Sequence, residues 1–144
     1  MIGFFRPLIG RIVESGARLT IVELKADLVG EGPGYRVTLD AGELADCNKV
    51  VSTSTLLLND TLDAMLAHCR SARWFAMVGP SAGCLPDALF ERGVTLVGGS
   101  WILDGPAYVD ALRRGESRGP YARKFAIRSG DYPGWRVLLN QAVK

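Results

Sequence analysis

The residues able to do chemistry gather in a few short stretches rich in hydroxyls, glycine and proline. Ser52-Thr53-Ser54-Thr55 and Asn59 supply four hydroxyls and an amide, and Gly79-Pro80-Ser81-Ala82-Gly83 is a small-residue turn ending against Cys84. Gly98-Gly99-Ser100 repeats that composition farther along. Hydroxyls and unpaired backbone N–H groups of such turns hold anions or polar ligands without a dedicated charged side chain. Glu23 falls where the second strand of a dinucleotide-binding unit carries the acid that binds a ribose hydroxyl. The first turn, however, reads Gly3-Phe4-Phe5-Arg6-Pro7 in place of G-x-G-x-x-G, and Pro7 has no N–H to offer a pyrophosphate.

Other reactive groups carry less. His68 and Cys69 are adjacent, so in a helix they point about 100° apart and make poor co-ligands for one metal. A core-facing Cys69 and a surface His68 fit better. Cys84 precedes a predicted helix start, where a thiolate is favoured, but no further sulfur or imidazole accompanies it as a soft-metal set would require. No Ser/His/Asp arrangement is visible, the single histidine lies mid-helix, and no G-x-x-x-x-G-K occurs. The usual hydrolase and phosphoryl-transfer machinery therefore lacks its groups.

The elements that must position these stretches follow from punctuation and period. Met1–Phe5 reads as a short strand, followed by a helix from Pro7 with Leu8, Ile9, Ile12 and Val13 on one face and Gly16 as its stop. Leu19–Glu23 reads as a strand buried on both faces, and Lys49–Thr53 as the next strand. Between them, Gly30, Gly32, Pro33 and Gly34 break any period, and Tyr35–Leu39 suits an additional short strand. Asn59 reads as the N-cap of a helix carrying Leu62, Met65, Leu66 and Cys69. Phe75–Val78 is a strand feeding a helix over Pro86–Arg92, and Val94–Val97 is another strand that breaks at Gly98-Gly99-Ser100. Asp104-Gly105-Pro106 opens a helix that Gly115 ends.

Strand and helix thus alternate, which predicts a three-layer α/β fold with a mainly parallel sheet of flavodoxin-like strand order 2-1-3-4-5, strand 1 being short. In such a sheet ligands sit above the carboxyl ends of the strands. The predicted ligand-binding set is Glu23, Thr53, Ser54, Thr55, Asn59, Gly79, Pro80, Ser81, Gly83, Gly98 and Ser100; the hydroxyl residues and Asn59 suit caps and turns as well. Residues 129–144 form a tail without an assigned structure.

Composition narrows the partners. A chain of 144 residues with a formal charge of +2 fits one self-sufficient core and lacks the strongly basic face of a nucleic-acid binder. Arg113, Arg114, Arg118, Arg123, Lys124 and Arg128 make the C-terminal part locally basic. Three cysteines without C-x-x-C spacing predict a reduced, cytoplasmic setting. No apolar run approaches the roughly 18 residues of a membrane span.

Gly3-Phe4-Phe5-Arg6-Pro7-Leu8, then Ser52-Thr53-Ser54-Thr55 with Asn59 and Thr61, then Val78-Gly79-Pro80-Ser81-Ala82-Gly83 with Leu85-Pro86 and Leu89 to Val94, resemble the putative heavy-metal chelation domain family. The resemblance spans roughly residues 1 to 128. It implies a Rossmann-like domain that in fuller members follows a domain resembling the enolase N-terminal fold, with the proposed active site between the two. A heavy metal or metal chelate is then the implied ligand, and that N-terminal domain or a second protomer the implied partner. Ser54 departs from the family, where a glycine is expected. An enzyme acting on a nucleotide-like cofactor and a non-catalytic interaction module, with Phe4 and Phe5 at its interface, are the alternatives.

Overall fold

The computed structural model describes residues 1–143. Its α-helices are α1 (Arg6–Glu14), α2 (Leu62–His68), α3 (Asp87–Glu91), α4 (Gly105–Arg113) and α5 (Trp135–Ala142). The strands are β1 (Leu19–Val22), β2 (Gly30–Gly32), β3 (Tyr35–Thr38), β4 (Lys49–Thr53), β5 (Trp74–Val78), β6 (Leu96–Ile102) and β7 (Ala122–Arg128). They form a three-stranded sheet, β1-β3-β2, and a four-stranded sheet, β4-β5-β6-β7. β1 pairs with β3 in parallel, and β4, β5 and β6 are mutually parallel, whereas β2 and β7 run antiparallel to their neighbours.

The two sheets meet at Ile2, which bridges Val22 on one side and Ser52 on the other, both in parallel. Four backbone hydrogen bonds of 2.8–2.9 Å make this seam: Ile2 N to Val51 O, Thr53 N to Ile2 O, Val22 N to Met1 O, and Gly3 N to Val22 O. The strand predicted over Met1–Phe5 is thereby reduced to a bridge. Gly3, at φ +87°, turns the chain out of the extended conformation, and Phe5 already serves as the N-cap of α1.

Successive residues of a strand point to opposite faces, and two apolar clusters result. Ile2, Val22, Val50, Phe75, Met77 and Val97 enter one with Leu44, Leu56 and Leu89. Met1, Leu19, Ile21 and Val37 enter the other with Ile9 of α1. Phe4 and Phe5 pack against this second cluster, Phe4 edge-on to Tyr35 at 6.0 Å between ring centroids. They are core-packing residues here.

Several boundaries differ from the sequence reading. The strand predicted to break at Gly98-Gly99-Ser100 instead continues to Ile102, because β7 pairs with it along its whole length, from Leu96 opposite Arg128 to Ile102 opposite Ala122. Cross-strand hydrogen bonding outweighs the weak strand preference of glycine, and Gly99 leaves room for the Phe125 ring, 2.8 Å from where a Cβ would stand. The helix predicted to be capped by Asn59 starts at Leu62, with Thr61 at the N-cap and no side-chain cap bond. Asp104 does cap α4, accepting from the Ala107 N–H at 3.0 Å. No helix among the described residues is long and apolar enough to cross a membrane.

Candidate functional site

Parallel pairing brings the carboxyl ends of β4 and β5 and the middle of β6 into one row: Thr53 opposite Val78, and Val78 opposite Gly98. Two tight turns rise from this row. One is the 3-10 turn Ser54–Leu57, which Thr53 caps by accepting from the Thr55 N–H; the same hydroxyl donates to Thr55 Oγ1 at 2.9 Å. The other runs from Gly79 through the 3-10 turn Pro80–Ala82 to Gly83.

Gly79 is the hinge of the arrangement. Its φ of +148° lies where side chains are disfavoured, and a Cβ there would collide with Ser54 Oγ. Its N–H donates to Gly98 O at 2.9 Å, and its carbonyl accepts from Ala82 N at 3.2 Å. Ser54 is buried and its hydroxyl lies 2.8 Å from Ser81 Oγ, which ties the two turns together. Beyond them, Gly83, Cys84 and Leu85 are exposed, and their amides make no hydrogen bond to protein among the described residues.

The structure thus brings Thr53, Ser54, Thr55, Gly79, Pro80, Ser81, Gly83 and Gly98 to adjoining turns and strand ends. Ser100 belongs to this edge differently from the prediction: it stands two residues beyond Gly98 inside β6, about 7 Å farther along the strand. It is paired with Lys124 of β7, whose ammonium donates to Ser100 Oγ at 2.8 Å. Lys124 is the functional candidate that sequence reasoning passed over. It was visible only as one member of a basic run, and only strand pairing selects it.

Two predicted residues do other work. Glu23 accepts from the Phe4 N–H at 2.7 Å through one carboxylate oxygen and from the Leu24 N–H at 3.0 Å through the other, so it fastens the first turn. Asn59 is exposed and accepts from Thr61 Oγ1 at 2.7 Å. It does not cap α2; its N–H donates to Thr55 O at 3.2 Å, so it closes the Ser54–Leu57 turn ahead of that helix.

Among the described residues no group of three or more His, Cys, Asp or Glu side chains is arranged to hold a metal ion. Cys84 is exposed, Cys47 half-buried and Cys69 buried. Burial, with Cys47 adding to it, pushes the Cys69 thiol up to about 11, and His68 is at the surface. A concavity of about 1050 Å³ opens at the opposite, amino ends of β1, β3 and β4. There Arg18, Arg36 and Lys49 face Glu31, Glu43 and Asp46, so its charges balance, and Arg36 is already paired with Glu43.

The fold and these turns define a mixed α/β protein whose mainly parallel sheet carries hydroxyl- and glycine-lined turns at its strand ends. The chain belongs to the family described as putative heavy-metal chelation, whose model matches residues 1–129. Two solved members of that family, each described as being of unknown function, share its fold. One, from Pyrococcus horikoshii, superposes with a TM-score of 0.74 at 19% identity over 88% of this chain and 52% of its own. The other, from Desulfitobacterium hafniense DCB-2, gives 0.71 at 24% identity over 89% of this chain and 51% of its own. An uncharacterized protein of Methanocaldococcus jannaschii is 36% identical over 61 residues, 42% of this chain and 24% of that protein. The chain spans about half the length of these solved relatives.

Proposed function

We propose that this chain binds a small anionic ligand, in particular the anionic arms of a metal chelate, at the edge formed by the Ser54 and Gly79–Gly83 turns. The observation that carries the reading is the Gly79 turn itself: a backbone conformation reserved for glycine, followed by three exposed residues whose amides have no acceptor among the described residues. Positions open to glycine and closed to other residues are used where the backbone turns tightly or approaches a ligand closely. The Thr55 hydroxyl, held by the Thr53 O–H, adds a neutral donor, and the Lys124–Ser100 pair adds a cation.

The family description speaks of heavy-metal chelation. Soft metals require thiolate or imidazole ligands, and the described residues lack such a set. A metal arriving already chelated, with carboxylate or phosphate arms turned toward the protein, reconciles the two. We further infer a Rossmann-like sheet of order 2-1-3-4-5, in which Ile2 is a one-residue central strand, and a cytoplasmic setting suited to three free thiols. The second wall of the site belongs to an N-terminal domain or a second protomer, a reading supported by the extra length of the solved relatives. For the cofactor-enzyme alternative, Glu23 is already held by the Phe4 and Leu24 N–H groups, and the first turn has Pro7 where a pyrophosphate would need an N–H.

The test is isothermal titration of the chain, alone and mixed with the N-terminal half of a longer relative, using citrate, zinc citrate and free zinc ion. The reading expects citrate and zinc citrate to bind, and Lys124→Gln to weaken both. Heat from free zinc alone, or from none of the three in either preparation, would sink it.

A further inference from the structure

Asp87 is the first residue of α3, four residues after Gly83, which ends the candidate turn. Both of its carboxylate oxygens are occupied from the far end of the chain. Tyr132 donates its hydroxyl to one at 2.8 Å, and the Trp135 N–H donates to the other at 3.0 Å. The Tyr132 ring packs edge-on against Phe90 of the same short helix, 5.7 Å between centroids.

Trp135 is the first residue of α5, and the N-cap position there is Gly134, at φ +91° and with no side chain to cap the helix. The first N–H groups of a helix have no intrahelical partner. Asp87 supplies the missing acceptor from another element, so it caps α5 from α3. Elsewhere α5 is held weakly: none of its residues is buried, and Trp135, Leu138 and Leu139 are exposed. The helix also lies beyond residue 129, where the family match ends.

Ser129 is still tied to the sheet, its N–H donating to Thr95 O at 3.0 Å. We propose that residues 130–143 beyond it form a detachable strap whose anchor is Asp87, and that Asp87 is a positioning residue coupling this strap to the Gly79–Pro86 turn. While the strap is fastened, Tyr132 and Trp135 fix the first turn of α3 and therefore the end of the loop that precedes it. When it lifts, α5 loses its cap and α3 its brace together. The coupling rests on geometry alone and holds whether or not the turn binds an anion.

Amide hydrogen exchange on the full chain reads this directly. Leu89 and Phe90 donate to Pro86 O in the first turn of α3, and Leu138 donates to Gly134 O in the first turn of α5. Asp87→Ala is expected to speed exchange at all three by about tenfold, with the β4 and β5 amides unchanged. Tyr132→Phe, which removes one of the two bonds, is expected to give a smaller effect at the same three amides. Asp87→Asn keeps an acceptor for the Trp135 N–H and is expected to restore most of the protection lost in Asp87→Ala. Faster exchange at Leu138 with Leu89 and Phe90 unaltered overturns the coupling. Equal loss in Asp87→Asn and Asp87→Ala overturns the capping role, since charge alone would then account for it. A rise that includes the β4 and β5 amides in both Asp87→Ala and Tyr132→Phe overturns the strap, because it makes this contact part of global stability.

Discussion

Gly79→Ala is the sharpest perturbation of the candidate site, because two independent costs meet at one methyl group. The first is conformational: holding a residue with a side chain at φ +148° costs on the order of 1–3 kcal/mol. The second is a collision with Ser54 Oγ, which must leave its position 2.8 Å from Ser81 Oγ; that bond contributes roughly 0.5–1.5 kcal/mol. Together they predict a loss of about 2–4 kcal/mol. Urea unfolding followed by tryptophan fluorescence should register it as a midpoint shift on the order of 1–2 M.

Gly83→Ala, four residues away, is the control. Its φ is −78°, and a Cβ there would meet only Pro80 O at 3.9 Å, so the change should be within about 0.5 kcal/mol of neutral. Adding Ser54→Gly to Gly79→Ala removes the collision and leaves the conformational cost, so the double-mutant cycle should show a favourable coupling of about 1 kcal/mol. If the two alanine variants unfold at the same urea concentration, the claim that Gly79 is required by the turn is wrong.

Other expectations follow from the same contacts. Glu23→Gln should destabilise the chain by about 1 kcal/mol, because a charged acceptor of the Phe4 and Leu24 N–H groups becomes a neutral one; thermal unfolding at fixed pH checks it. Alkylation by iodoacetamide near pH 8 should modify exposed Cys84 first and Cys69 last, since a thiol pushed up to about 11 is about 0.1% thiolate there; peptide mass spectrometry over time gives the order. For Asp87, burial acts to raise the pKa, but bonds from the Trp135 N–H and the Tyr132 hydroxyl outweigh it and hold the carboxyl below its ordinary value. A depressed carboxyl stabilises the fold above its unfolded value of about 3.9 and loses that contribution as pH falls through the folded value. The Trp135 amide resonance should therefore stay constant from pH 7 to 5 and move only in stronger acid; a transition near neutrality would refute the assignment.

What the sequence made legible, and what it hid, divides along physical lines. The parallel strands β4 and β5 are runs of Val, Phe, Ala and Met closed by glycine or hydroxyl turns, and such local signals survive folding unchanged. Asp104 announces α4 by its own chemistry. The extension of β6 through two glycines was hidden because it is imposed by β7, whose Phe125 and Ile127 alternate only loosely with charged neighbours. Lys124 was obscured for the same reason, since its partner Ser100 lies 24 residues away in sequence. Asn59 misled because a residue able to cap will also hydrogen-bond a nearby threonine. The external cap from Asp87 to Trp135, across 48 positions, leaves no trace in either segment alone.

The ribbon of β6 and β7 outruns the sheet. Past Gly98, β6 has no strand partner in β5 and pairs with β7 as far as Ile102, about 13 Å at the usual rise per residue, while its root packs against the Pro80–Ala82 turn. The Lys124–Ser100 pair sits partway along this cantilever, whereas the Gly79 turn is rooted in the body of the sheet. Because the Gly79 N–H bonds Gly98 O and Gly99 lies against the Gly79 carbonyl, the root of the ribbon is pinned to the turn. A load on its far end would move the Lys124 ammonium relative to the proposed site while leaving that root in place.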